Sequence, residues 1–151
     1  VNGSVPKTLV KKIVSHYAEN CENPKIASIL KDILDTPISP ELLPPEKGEI
    51  TQSTEEILGP YELHDFFLWH FCKNGFSPEK ILFLAEKAFA GDFSQKTITR
   101  TLDIFLKRFP AQQFKRSCSS DCPAVFPLSL SPRAGYQIPS DGKIDFGLSI
   151  K

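Results

Sequence analysis

Apolar residues recur at helical spacing through the first two thirds of the chain. Val5, Leu9, Val10, Ile13, Val14 and Tyr17 share one helical face, which predicts a helix from Ser4 to about Asn20 with Pro6 in its first turn. Asn23-Pro24 reads as an N-cap and first helical residue, followed by a stripe of Ile26, Ile29, Leu30, Ile33 and Leu34 that ends before Pro37. Pro60 can open a third helix carrying Leu63, Phe66, Phe67 and Phe71, with Asn74-Gly75 as its stop. Ser77-Pro78 starts a fourth, with Ile81, Leu82, Leu84, Ala85, Ala88 and Phe89 on its buried side. Ser94 caps a fifth, through Ile98, Leu102, Phe105 and Phe109, which Pro110 is expected to terminate.

Two stretches break this rhythm. From Thr36 to Ser53 the chain carries Pro37, Pro40, Pro44, Pro45 and Gly48, too dense in proline for regular structure, and a loop of this length is expected to be functional. After Pro110, Pro123, Pro127, Pro132 and Pro139 interrupt every element, which predicts an irregular tail. There is no internal repeat and no convincing alternating strand. The fold class is therefore mainly α. A helical body ending in a long irregular tail suits a segment of a larger fold better than an independent protein.

With 40% hydrophobic and 24% charged residues in 151, the chain has the composition and length of one ordinary domain with a buried core. Eighteen basic and 18 acidic residues cancel, so no global field favours nucleic acid or a membrane surface. No apolar run approaches the roughly 20 residues of a bilayer span, and the N-terminus lacks a signal-peptide layout, so the expected location is cytoplasmic. The chain begins at Val1 and contains no Met, a first hint of a fragment.

Cys21, Cys72, Cys118 and Cys122 are scattered and read as free thiols, with disulfides the minority alternative. The C-x3-C spacing of Cys118 and Cys122 lacks the tight pairing of a structural zinc site. His64 and His70, six apart on one predicted helix, point to different faces and cannot share a metal there. Glu62, His64 and Asp65 are expected to face solvent or cap neighbours. Phe66, Phe67, Trp69 and Phe71 are expected in the core or a subunit contact. No phosphate-binding glycine loop and no nucleophile-base arrangement can be assembled.

Local positive charge is the remaining chemical feature. Lys107 and Arg108 read as a solvated helix end, where cations suit the macrodipole. Lys115 and Arg116 lie beyond the expected helix stop, in a loop among Gln112, Gln113, Phe114 and Ser117. That mixture can grip a phosphate or carboxylate beside an aromatic ring.

Read as whole phrases, several segments resemble the synthetase domain of glutamine-dependent NAD synthetases. They are VNGSVPKTLV at 1–10, ILDTPISPELLP at 33–44, LGPYELHDFF at 58–67, GFSP at 75–78, QQFKRSC at 112–118, LSPR at 130–133 and PSD at 139–141. The likeness covers residues 1–141 as a partial synthetase domain, and 142–151 form a divergent tail. The resemblance implies the C-terminal helical part of an α/β ATP-pyrophosphatase domain, of the adenine nucleotide alpha hydrolase type. It implies a ligase that adenylylates deamido-NAD with ATP and amidates it with ammonia, giving NAD, AMP and pyrophosphate. ATP as substrate, Mg²⁺ on the polyphosphate, a glutaminase domain as ammonia source and a homo-oligomer come with it.

Carried over by motif, Lys115 resembles the lysine that contacts deamido-NAD, with Phe114 and Arg116 its neighbours. Lys7 in VPKTLV and Ser39 in SPELL resemble residues that contact ATP. No catalytic residue and no metal ligand is assigned within these 151 residues.

The departures matter equally. The Ser-Gly-Gly-x-Asp-Ser signature that binds ATP in the family is absent from the sequence, as are the strands that carry it, so this segment alone is expected to be inactive. Cys122-Pro123-Ala124 stands where the family has Gly-Pro-Lys, and Arg133-Ala134-Gly135-Tyr136 where it has Arg-Gly-Asp-Trp. Each lost charge removes a contact of about 1.5–3 kcal/mol. Those changes leave a second reading, a non-catalytic helical dimerisation or interaction module derived from the family. Nucleic-acid binding through the basic pairs is disfavoured by the zero net charge.

Overall fold

The computed structural model describes residues 4–36, 54–133 and 135–141. Its elements are α1 (Lys7–Glu19), α2 (Pro24–Asp35), α3 (Thr54–Leu58), α4 (Tyr61–Leu68), a π-helical turn (Trp69–Lys73), α5 (Pro78–Ala88), α6 (Gln95–Ala111) and α7 (Gln113–Ser117). The described residues contain no strand, as the spacing of apolar positions implies. The Pro-rich segment with Ser39, and the 142–151 tail, lie outside the described residues. The chain divides into two compact units, 6–61 and 62–151 with the first five residues.

In the 6–61 unit α1 and α2 pack on each other. Asn23 Oδ1 accepts from the amide of Lys25 at 3.0 Å, and Pro24 follows it as the first helical residue, so this boundary is where the dipeptide places it. α1 starts later than expected. Pro6 is extended, at φ −68° and ψ 156°, and caps the helix, with its carbonyl accepting from Val10 at 3.0 Å. The apolar stripes are not buried as stripes. Leu30 and Leu34 are half-buried, whereas Ile29 is 59% and Tyr17 61% exposed, with Ile13, Ile26 and Ile33 also open.

The 62–151 unit holds the main core, in which Leu63 and Phe67 of α4 meet Ile81 and Ala85 of α5 and Ile98, Leu102, Phe105, Leu106 and Phe109 of α6. Burying these side chains contributes about 1.5–3 kcal/mol each for the large ones. α5 and α6 begin as their sequences dictate, the Ser77 and Ser94 hydroxyls accepting from Lys80 (3.4 Å) and Thr97 (3.1 Å). Ala88 is exposed rather than on the buried side.

Helix α4 runs into the π turn, where the Asn74 amide reaches back to the Trp69 carbonyl (3.3 Å) and Phe76 to that of His70 (3.1 Å). Gly75, at φ 63°, takes the left-handed stop that the Asn74-Gly75 pair predicts. Phe67 is core, Phe66 and Phe71 pack on it, but Trp69 is 42% exposed. His64 is half-buried rather than solvent-facing, its ring 6.1 Å from that of Phe105.

Pro110 does not end α6. The helix runs to Ala111, and the Gln112 amide bonds the Arg108 carbonyl at 3.0 Å, carrying the last turn past the proline. Burial of Phe109 and Pro110 outweighs the local preference of a pre-proline residue for extended backbone.

Candidate functional site

The site is built on the corner where α6 gives way to α7. The phrase QQFKRSC is expected in a loop, and here it is mostly helical, because Gln113–Ser117 form one further turn. Gln113 and Arg116, three apart, share its inner side. Gln113 is fully buried, and its Oε1 accepts from Arg116 Nε at 2.8 Å. Arg116 Nη2 also donates to the Phe109 carbonyl at 2.6 Å, with Cζ lying 4.2 Å from the Phe109 ring centroid.

Phe114 and Lys115 face outwards. Phe114 is 51% exposed, and Lys115 Nζ stands 5.9 Å from the Phe114 ring centroid. The pair thus presents an exposed cation beside an open aromatic ring. Such a combination can pair with a phosphate or carboxylate while the ring lies against a planar base.

Arg116, grouped with them by motif, does something different: its guanidinium is turned into the corner. Burial pushes its pKa down, opposed by the neighbouring Cys72 and Tyr136. Both neighbours are held in their neutral forms, since burial raises Tyr136 and pushes the Cys72 thiol up to about 12. The charge of Arg116 is therefore met by carbonyl oxygens and an aromatic face rather than by an anion.

The tail returns to the same corner. The Tyr136 ring lies 5.5 Å from that of Phe109 and 6.4 Å from that of Phe71, and its amide bonds the Ser129 carbonyl at 2.9 Å. Arg133 bonds the Asp121 carboxylate and the Ser119 carbonyl. Ser4 Oγ accepts from the amides of Val125 (2.7 Å) and Phe126 (2.8 Å), tying the tail to the start of the chain. The irregular segment is thus pinned at both ends, and the departure at Gly135 sits inside this pinned loop. Phe109 and Tyr136 frame the corner, and the sequence carries no local signal for that role, because it depends on contacts between distant segments.

Lys7 belongs to the other unit. There its Nζ donates to the Tyr61 hydroxyl at 3.3 Å and stands 4.8 Å from that ring, Tyr61 being buried. Ser39 lies outside the described residues. Lys107 pairs with Asp103 at 2.7 Å on the exposed face of α6, in keeping with a solvated helix end. All four cysteines are free thiols. No group of three His, Cys, Asp or Glu side chains that could hold a metal ion exists among the described residues. No helix of the described residues is long and apolar enough to cross a membrane.

Comparison with known proteins shows what the chain is similar to. Glutamine-dependent NAD(+) synthetase of Mycobacterium leprae (strain TN) is 36% identical over 93% of this chain, and that of Mycobacterium tuberculosis (strain ATCC 25618 / H37Rv) is likewise 36% identical over 93%. The chain is a homologue of part of glutamine-dependent NAD(+) synthetase. It spans about a quarter of the length of these relatives, 24% and 23% respectively. No family model matches it. The similarity to the synthetases therefore covers both units, the corner with Lys115 and the pinned tail.

Proposed function

We propose that the chain supplies the substrate-contacting helical segment of an NAD synthetase. The single observation that carries this reading is the outward pair Phe114 and Lys115, held on a buried corner in a chain 36% identical over 93% of its length to synthetase relatives. In the reaction, the nicotinate carboxylate of deamido-NAD attacks the α-phosphorus of ATP and pyrophosphate leaves. Ammonia, released from glutamine by a separate glutaminase domain, then attacks the acyl carbon; AMP departs and the amide of NAD remains.

Two anions must approach each other in the first step, so cations are needed on both. On this segment Lys115 pairs with an anionic group of deamido-NAD and Phe114 lies against one of its planar rings. Lys7, whose ammonium is steered by Tyr61, and Ser39 serve the ATP side. Mg²⁺ would neutralise the polyphosphate; the described residues hold no group of three His, Cys, Asp or Glu side chains that could bind it. The helices complete an α/β ATP-pyrophosphatase domain whose phosphate loop is not among these 151 residues, within a homo-oligomeric, cytoplasmic enzyme.

Saturation-transfer NMR with the 151-residue chain tests the reading. Transfer to the ring protons of deamido-NAD is expected, and it should be reduced when the Phe114→Ala chain replaces the wild type. Transfer that is absent, or equal for wild type and Phe114→Ala, would contradict the proposed contact.

A further inference from the structure

A helix of five residues is far too short to hold itself in water, since isolated helices below about 12 residues are marginal. The geometry of α7 must therefore come from its anchors. Its backbone is closed at the ends by bonds from Lys115 to Gln112 (3.2 Å), from Cys118 to Phe114 (3.2 Å) and from Ser119 to Arg116 (3.1 Å). The side-chain anchor is Arg116. One edge of its guanidinium meets the Gln113 amide and another meets the Phe109 carbonyl, which sits in the last turn of α6, where carbonyls lack intrahelical partners. Its Cζ lies over the Phe109 ring, 4.2 Å from the centroid.

The bond to Arg116 also fixes the Gln113 amide. With Oε1 turned to the arginine, Nε2 is left without a hydrogen-bond partner among the described residues, an orientation whose cost the arginine bond must offset. A lysine has no planar fork, and its single nitrogen cannot reproduce the two separate donors, Nε and Nη2, that meet these oxygens.

We infer that Arg116 is a positioning residue for Lys115: by bonding the Phe109 carbonyl and the Gln113 amide at once, it fixes the α6–α7 corner and so sets where Lys115 and Phe114 stand. This rests on the reading of Lys115 as a deamido-NAD contact, and it gives Arg116 a role through its neighbour rather than on the substrate.

The test combines hydrogen exchange with calorimetric titration of deamido-NAD on the full 151-residue chain, using Arg116→Lys, Lys115→Ala and the double variant. Arg116→Lys keeps the charge and removes the fork. It is expected to speed exchange of the Cys118 amide about tenfold while the Leu102 amide in the core is unchanged. It should weaken binding about as much as Lys115→Ala, and the double variant should bind no more weakly than Lys115→Ala alone. Unchanged Cys118 exchange would overturn the anchor. Faster exchange with wild-type affinity, or additive losses in the double variant, would overturn the link to Lys115. Absence of binding by the wild-type chain, or affinity indifferent to Lys115→Ala, would instead overturn the substrate-contact reading, while the exchange result still decides the anchor.

Discussion

A side chain at Gly135 would bring its Cβ within 2.1 Å of the Ser129 carbonyl oxygen. The same oxygen accepts from the Tyr136 amide at 2.9 Å, so Ser129 and Tyr136 close on each other beside the position where the resemblance implies an aspartate. Replacing that aspartate by glycine is thus more than the loss of a charge. Gly135→Asp is expected to reopen the loop rather than restore a family contact, costing about 1–3 kcal/mol as overpacking does. Limited proteolysis within 119–133 should become faster in the variant; resistance equal to wild type would show that the loop accommodates a side chain.

Thiol reactivity should separate the cysteines. Cys118 and Cys122 are exposed, while burial pushes the Cys72 thiol to about 12 from an ordinary value of 9.0, cutting its thiolate fraction at neutral pH by about a thousandfold. A disulfide reagent at pH 8 is expected to modify Cys118 and Cys122 quickly and Cys72 only after unfolding. Rapid labelling of Cys72 in the folded chain would contradict the packing of the π turn against α6.

His70 gives the fold a pH dependence of known sign. Its ring stacks on Phe76 at 5.5 Å and lies 4.3 Å from Phe66, with Asn74 Nδ2 3.0 Å from its Nδ1. Lys80 stands over the other partner, 3.5 Å from the Phe76 ring centroid. Burial first, and Lys80 second, lower its pKa from the ordinary value of 6.5. The unfolded state then binds more protons than the native one below that value, so stability is full above it and falls as the pH drops through 6.5. Urea midpoints at pH 7.5 and 5.5 should diverge in the wild type and converge in His70→Gln. Identical shifts in the two proteins would assign the effect to other groups.

The two isoleucine populations should respond differently to truncation. Ile81 is fully buried between α5 and the rest of the core, and Ile81→Ala is expected to cost about 2–5 kcal/mol. Ile29→Ala, on the open face of α2, should stay within about 0.5 kcal/mol. Denaturant unfolding decides it; a large loss at Ile29 would mean that a self-association in solution covers this face.

These contrasts mark what the sequence discloses. Asn23-Pro24, Ser77-Pro78, Ser94 and Asn74-Gly75 act on the backbone within a few residues, and each places a helix end where the structure has it. Periodicity also groups Ile26, Ile29 and Ile33 on one face, but spacing tells which residues align and not what covers them. Pro110 misleads because the burial of Phe109 decides against the local preference. α7 was unreadable for the same reason: five residues have no helical preference of their own, and the Arg116 bond to Phe109 comes from seven positions away. Of the site residues, Phe114 and Lys115 stand outward, whereas the inward turn of Arg116 depends on the fully buried Gln113, which no local pattern signals.

The central claim is that Lys115 contacts deamido-NAD, and calorimetric titration of the wild-type chain against Lys115→Ala tests it most directly. A charge-assisted contact of about 1.5–3 kcal/mol corresponds to a loss of roughly 10- to 150-fold in affinity. The account expects binding by the wild type and a loss in that range in the variant. Equal affinities, or no heat from either protein, would contradict it.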